Sequence, residues 1–176
     1  LVIMFIMDLT GSMSMWLNEA KKSINDIIEE ITDNNPGSKI RFSFIGYRDF
    51  TKAKQLRVYN SIEFTDNLKE INKFLSDLDC YGGGDEPEDV AGALNKALEM
   101  KWESSAKYAV LVCDAPCHGK KYHNVLYDNF EEGDPDGFVL EEIIQKFYDK
   151  GITFYCVEIN DSTKKMFDIM KHIALI

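Results

Sequence analysis

The 176 residues are enough for one domain with a sizeable apolar core, and 45% hydrophobic with 28% charged residues is ordinary for a globular protein. A net charge of −10 argues against nucleic acid or an anionic membrane surface as partner. No apolar stretch approaches the roughly 20 residues that span a bilayer, so membrane insertion is not expected.

The chain opens on "LVIMFIM", which lacks the basic flank of a secretory signal and lacks an initiator Met. It therefore reads as a piece of a longer protein. The cysteines at 80, 113, 117 and 156 show no disulfide-framework spacing, which points to reduced thiols in the cytoplasm.

Apolar runs alternate with amphipathic ones. Residues 1–8 form a continuous run expected to be a strand covered on both faces. Ala20, Ile24, Ile27, Ile28 and Ile31 then recur at helical spacing until "DNNPGS" at 33–38 ends the helix. Strands are expected at 39–50 and 55–64, the latter alternating as an edge strand does. A helix follows over 65–78, capped by Thr65 or Asp66.

"CYGGGDEPED" (80–89) interrupts before a helix at 90–102. A strand at 106–116 ends in Asp114, and a polar loop at 117–137 leads to a helix at 138–151. A strand at 152–160, with Cys156 in a buried run like that of Cys113, and a helix at 162–176 complete the chain. Strands separated by helices imply right-handed crossovers. The expected fold is a doubly wound α/β domain: a mostly parallel sheet, helices on both faces and one antiparallel edge strand.

Ligands of such folds bind beyond the carboxyl ends of the strands. Three distant segments deliver oxygen donors there: Asp8, Thr10 and Ser12 after the first strand, the 82–89 loop, and Asp114 after the fourth. A donor set of carboxylates and hydroxyls suits Mg²⁺, Mn²⁺ or Ca²⁺ rather than zinc. In the D-x-T-x-S spacing Thr10 and Ser12 can ligate while Asp8 accepts from bound waters, and Gly11 allows close backbone approach.

These motifs resemble the von Willebrand factor A domain and its metal-ion-dependent adhesion site: "DLTGSM" at 8–13, the glycines at 82–84 and "VLVCDAP" at 110–116. "FIGYRDF" (44–50), "GGGDEPED" (82–89), "ALEMKW" (97–102) and "CDAPCHG" (113–119) are most similar to the A domains associated with α-kinases. The resemblance covers the whole chain as a single domain. It implies direct ligation by Thr10 and Ser12, with Asp8 and Asp114 acting mainly through water. Asp85 stands where many A domains place a threonine, which makes the site more negative and the ion a weaker electrophile. The family's last strand would follow "HIALI", beyond the end of this chain.

Other readings stand beside these. Asp8, Thr10 and Ser12 also suit a strand-to-helix turn with capping hydroxyls. Glu86, Glu88 and Asp89 suit the positive end of the following helix. Asp49 reaches either a metal-bound water or a surface pair with Arg48. Cys117, His118 and His123 lack a fourth ligand at conventional zinc spacing, and "EEGDPDG" (131–137) lacks the twelve-residue calcium-loop pattern and is expected to be solvated.

The function expected is a divalent-metal-dependent protein-interaction module, with a protein ligand docking at the metal and an attached kinase as one possible target of regulation. A structural metal is an alternative. A Mg²⁺-dependent phosphotransferase of the haloacid-dehalogenase kind is a weaker one, because its motif needs a general acid where this chain has Thr10. With no P-loop and no G-x-S-x-G elbow, no enzymatic activity is expected.

Overall fold

The computed structural model describes residues 1–50 and 56–174. Gln55 and residues 175–176, at the margins of two expected elements, lie outside them. Five strands form one sheet in the order β3-β2-β1-β4-β5. They are β1 (Val2–Asp8), β2 (Arg41–Tyr47), β3 (Tyr59–Thr65), β4 (Lys107–Cys113) and β5 (Ile152–Glu158). β1 pairs in parallel with β2 and with β4, and β4 with β5. Only β3, on the edge, runs antiparallel.

All seven residues of β1 are buried. Its alternation divides the core, as the two-residue period of a strand requires. Ile3, Phe5 and Met7 pack with Ile24 and Ile28 of α1 (Leu17–Asn34) and with Ile71 and Leu75 of α2 (Leu68–Asp77). Val2, Met4 and Ile6 face α3 (Val90–Leu98), α4 (Leu140–Asp149) and α5 (Lys164–Ala174). Burial of this continuous apolar run on both faces is the main stabilising term.

Three details depart from expectation. Asn67, rather than Thr65 or Asp66, caps α2: its side chain accepts from the Lys69 N–H, while Thr65 ends β3 and accepts from Asn67. Cys156 is half-buried because β5 is itself an edge strand, with Tyr155 and Val157 exposed beside it. Ile27 is 40% exposed, since it faces the open α1 side of β4 and β5 rather than the seam made by Ile24 and Ile28.

Candidate metal centre

The chain leaves β1 in one direction toward β2 and returns on its other side as β4, so the switch point lies between the carboxyl ends of β1 and β4. Asp8 ends β1, and the 3-10 turn Gly11–Met15 follows. Thr10 holds the N-cap position of that turn, yet its side chain caps nothing. Instead its hydroxyl donates to Asp8 Oδ1 at 2.6 Å, and its backbone N–H reaches the same oxygen at 2.8 Å. The hydroxyls of Thr10 and Ser12 stand 3.2 Å apart, and Ser12 donates to Asp114 Oδ1 at 3.0 Å. A hydrogen-bonded chain of oxygens thus joins Asp8, Thr10, Ser12 and Asp114. It takes the place of a helix cap.

The glycine loop closes over this chain. Gly11 N–H donates to Gly82 O and Tyr81 N–H to Leu9 O, each at 3.0 Å. Gly83 has φ +92°, and a Cβ there would stand 3.0 Å from Glu88 Oε1 and 3.6 Å from Thr10 Cβ. Only glycine suits both the backbone angle and the gap. Glu88 is tied by its N–H to Pro116 O at 2.9 Å, which brings its carboxyl group beside Thr10. Ser12, the 82–84 glycines, Asp85, Glu88 and Asp114 line a cleft of about 430 Å³.

This cleft is rich in uncompensated carboxylate. Asp8 is fully buried and Glu88 is 4% exposed, and Asp8 Oδ2 and Glu88 Oε2 meet no hydrogen-bond partner among the described residues. None of Asp8, Glu88 and Asp114 takes part in a salt bridge among those residues. Burial raises the Asp8 pKa to about 7 despite the bonds from Thr10, and Asp114 adds repulsion. Burial, then repulsion from Asp8 and Asp49, pushes Glu88 to about 10. A buried carboxylate oxygen without a partner costs on the order of 1–3 kcal/mol. A divalent cation would remove that penalty, and these hard oxygens fit one.

Asp85 lines the same cleft, but its oxygens are already engaged. Asn129 reaches Oδ2 through its backbone N–H and Oδ1 through its side-chain amide, both at 2.7 Å. The polar loop carrying Asn129 is therefore part of the centre. In place of a pair with Arg48, Asp49 Oδ1 sits 2.9 Å from His118 Nε2, while Arg48 donates to Asn60 Oδ1 and Asp79 O. His118 Nδ1 lies 2.7 Å from Asp128 Oδ1.

Asp128 is a hub. It also accepts from the Gly119 and Phe130 N–H groups, each at 2.7 Å, and contacts His123 Nε2 at 2.8 Å. These bonds hold the Asp128 carboxyl at about 2 against the effect of burial. Burial opposes protonation of His118, but its bonds to Asp49 and Asp128 outweigh that and raise its pKa. Cys117 lies elsewhere, buried in the core shared by α3, α4 and α5, where its N–H reaches Met166 Sδ at 3.2 Å. "EEGDPDG" is not merely solvated: Asp134 and Asp136 accept from Arg57, which also pairs with Asp89, the N-cap of α3.

Sequence reasoning missed Glu88, Asn129, Asp128 and the use of His118. "CHG" directly after "CDAP" was the available signal for His118, since it places an imidazole at the strand end. Asp128 and Asn129 lie in a loop with no periodicity to mark them.

A family model described as the von Willebrand factor A domain matches residues 2–135. The chain belongs to the von Willebrand factor A (VWA) family. Alpha-protein kinase vwkA of Dictyostelium discoideum is 33% identical over 168 residues, 94% of this chain and 26% of that protein. The putative ariadne-like RING finger protein R811 of Acanthamoeba polyphaga mimivirus is 28% identical over 115 residues, 65% of this chain and 11% of that protein. The chain thus spans about a quarter or less of the curated relatives it matches.

Among solved structures, the pilus adhesin SpaC from Lactobacillus rhamnosus GG superposes with a TM-score of 0.66 at 14% identity, covering 99% of this chain and 27% of that one. The SpRpn10 VWA domain gives 0.63 at 11% identity, covering 98% and 81%. At such identities the likeness is one of fold. VWA domains generally mediate protein–protein interaction, are generally non-enzymatic and often bind a divalent metal. Among the described residues, no helix is long and apolar enough to cross a membrane.

Proposed function

We propose that this VWA domain is a divalent-cation-dependent protein-interaction module, with a Mg²⁺ (or Mn²⁺ or Ca²⁺) held by Thr10, Ser12, Asp8 and Asp114. The observation that carries this reading is the pair of buried, partnerless oxygens, Asp8 Oδ2 and Glu88 Oε2, beside the hydroxyls of Thr10 and Ser12. A bound cation supplies neutralising charge and an open position for an oxygen donor from a partner. Asp85, engaged by Asn129, adds negative charge to the cleft wall.

The rim supports docking. Met15 (77% exposed) belongs to the turn that carries Ser12, Tyr81 precedes the glycines, and Leu126 and Tyr127 precede Asp128 and Asn129. Exposed aromatic and apolar side chains around a charged centre are the composition of interaction surfaces. The similarity to an alpha-protein kinase extends the proposal: the module targets or regulates a kinase domain elsewhere in an intracellular parent protein.

A pulldown with the chain as bait, in Mg²⁺ or in EDTA, tests the reading. Partners should be lost in EDTA, regained with Mg²⁺, and absent with the Ser12→Ala variant. The same partners in all conditions would contradict metal-gated docking and leave the cation a structural role.

A further inference from the structure

Beside the oxygen-only cluster lies a second convergence of ligand groups. One donor atom from each of Asp49, Asp85 and His118 lies within 4.8 Å of the others. Ligand atoms about 2.1 Å from one cation stand roughly 3–4 Å apart, so small side-chain adjustments suffice to bring these three onto one ion. We propose that Asp49, Asp85 and His118 form a second cation site, selective for a first-row transition ion such as Zn²⁺ or Mn²⁺, next to the site at Asp8.

Two of the three ligands are already oriented from behind. Asp128 occupies His118 Nδ1 and so directs Nε2 toward Asp49. That is the carboxylate–histidine arrangement which fixes the ring and raises its basicity as a ligand. Asn129, the next residue, holds Asp85 through two hydrogen bonds, and the carboxylate retains lone pairs for a metal. The rings of Phe50 and Phe130 pack on His118 with centroids 5.3 and 5.1 Å away, which limits its rotation.

A buried side chain between the two clusters also lacks a partner. Glu88 is 96% buried, its Oε2 meets no partner among the described residues, and the charges that bear on it are those of Asp8, Asp49 and Asp85. The glycine loop relates the two clusters: Gly83 lies against Glu88 and Thr10, while a Cβ on the adjacent Gly84 would stand 3.9 Å from Asp49 Oδ2. Glu88 is thus placed to serve either ion. Six carboxyl groups (Asp8, Asp49, Asp85, Glu86, Glu88 and Asp114) crowd this end of the sheet.

The donor sets differ in softness. The Asp8 cluster offers oxygen only and favours Mg²⁺ or Ca²⁺, whereas an imidazole shifts preference toward zinc and its neighbours.

Calorimetric titration of Zn²⁺ into the chain in millimolar Mg²⁺ tests the second site. One Zn²⁺ should bind per chain. His118→Gln and Asp49→Asn should each weaken it about 100-fold or more, and Ser12→Ala, which alters the first site and removes none of the three ligands, should change it far less. As a readout on the unmutated protein, Zn²⁺ in the same Mg²⁺ background should shift the ring resonances of His118 and leave those of the exposed His172 in place. Absence of Zn²⁺ binding, undiminished binding in both His118→Gln and Asp49→Asn, or Zn²⁺ binding that leaves the His118 ring resonances unmoved would overturn the proposal.

Discussion

Asn129 donates two hydrogen bonds to Asp85, 44 positions earlier, one from its backbone and one from its side chain. The bonds fasten the 117–137 loop to the glycine loop across the mouth of the cleft. Asn129→Ala keeps the backbone bond and removes the amide, so a loss of about 1–2 kcal/mol is expected in urea denaturation. Asn129→Asp should cost more, because it sets a second carboxylate against Asp85. Equal stability of Asn129→Ala and the parent chain would mean that the side-chain bond contributes nothing.

Gly46 of β2 links the sheet to the Asp8–Ser12 stretch. A Cβ at this position would lie 2.2 Å from Leu9 Cδ1 and 3.0 Å from Leu9 Cγ. Leu9 is fully buried and stands between Asp8 and Thr10. Gly46→Ala should therefore destabilise the chain by about 1–3 kcal/mol through overpacking. Displacement of Leu9 should also weaken Mg²⁺ binding at the neighbouring oxygens, measured by calorimetry on the folded variant.

Asp128 gives the loop an acid-sensitive anchor. Its folded pKa is depressed from 3.8 to about 2, so its contribution is present above pH 3.8 and is lost as pH falls toward 2. Asp128→Asn removes the charge and places an amide N–H₂ group among donors from His118, His123, Gly119 and Phe130. A loss of about 3–5 kcal/mol at pH 7 is expected in chemical denaturation. The variant should also lack the part of the parent's stability loss that falls between pH 3.8 and 2.

The sheet, and the gathering of Asp8, Thr10, Ser12 and Asp114 at its edge, were legible in the sequence because they rest on local signals. Seven apolar residues followed by Asp8 mark a buried strand and its exit, and "VLVCD" repeats that pattern at Asp114. What escaped depends on distant contacts. Asp85 and Glu88 lie three residues apart in one acidic run, and nothing in that spacing settles that Glu88, tied to Pro116, turns toward Thr10 while Asp85 turns toward Asn129. The spacing around His118 shows no complete ligand set because its Nε2 partner, Asp49, lies 69 positions away.

The central claim, a cation at the Asp8 cluster, is tested most directly by titrating Mg²⁺ into the EDTA-stripped chain and into its Ser12→Ala and Asp114→Asn variants. Ser12 is exposed, so its truncation should leave the fold intact. Both variants should bind Mg²⁺ about 100-fold more weakly than the parent, with unchanged circular dichroism. Parent and variants binding with the same affinity, or no heat from the parent chain at millimolar Mg²⁺, would contradict the account.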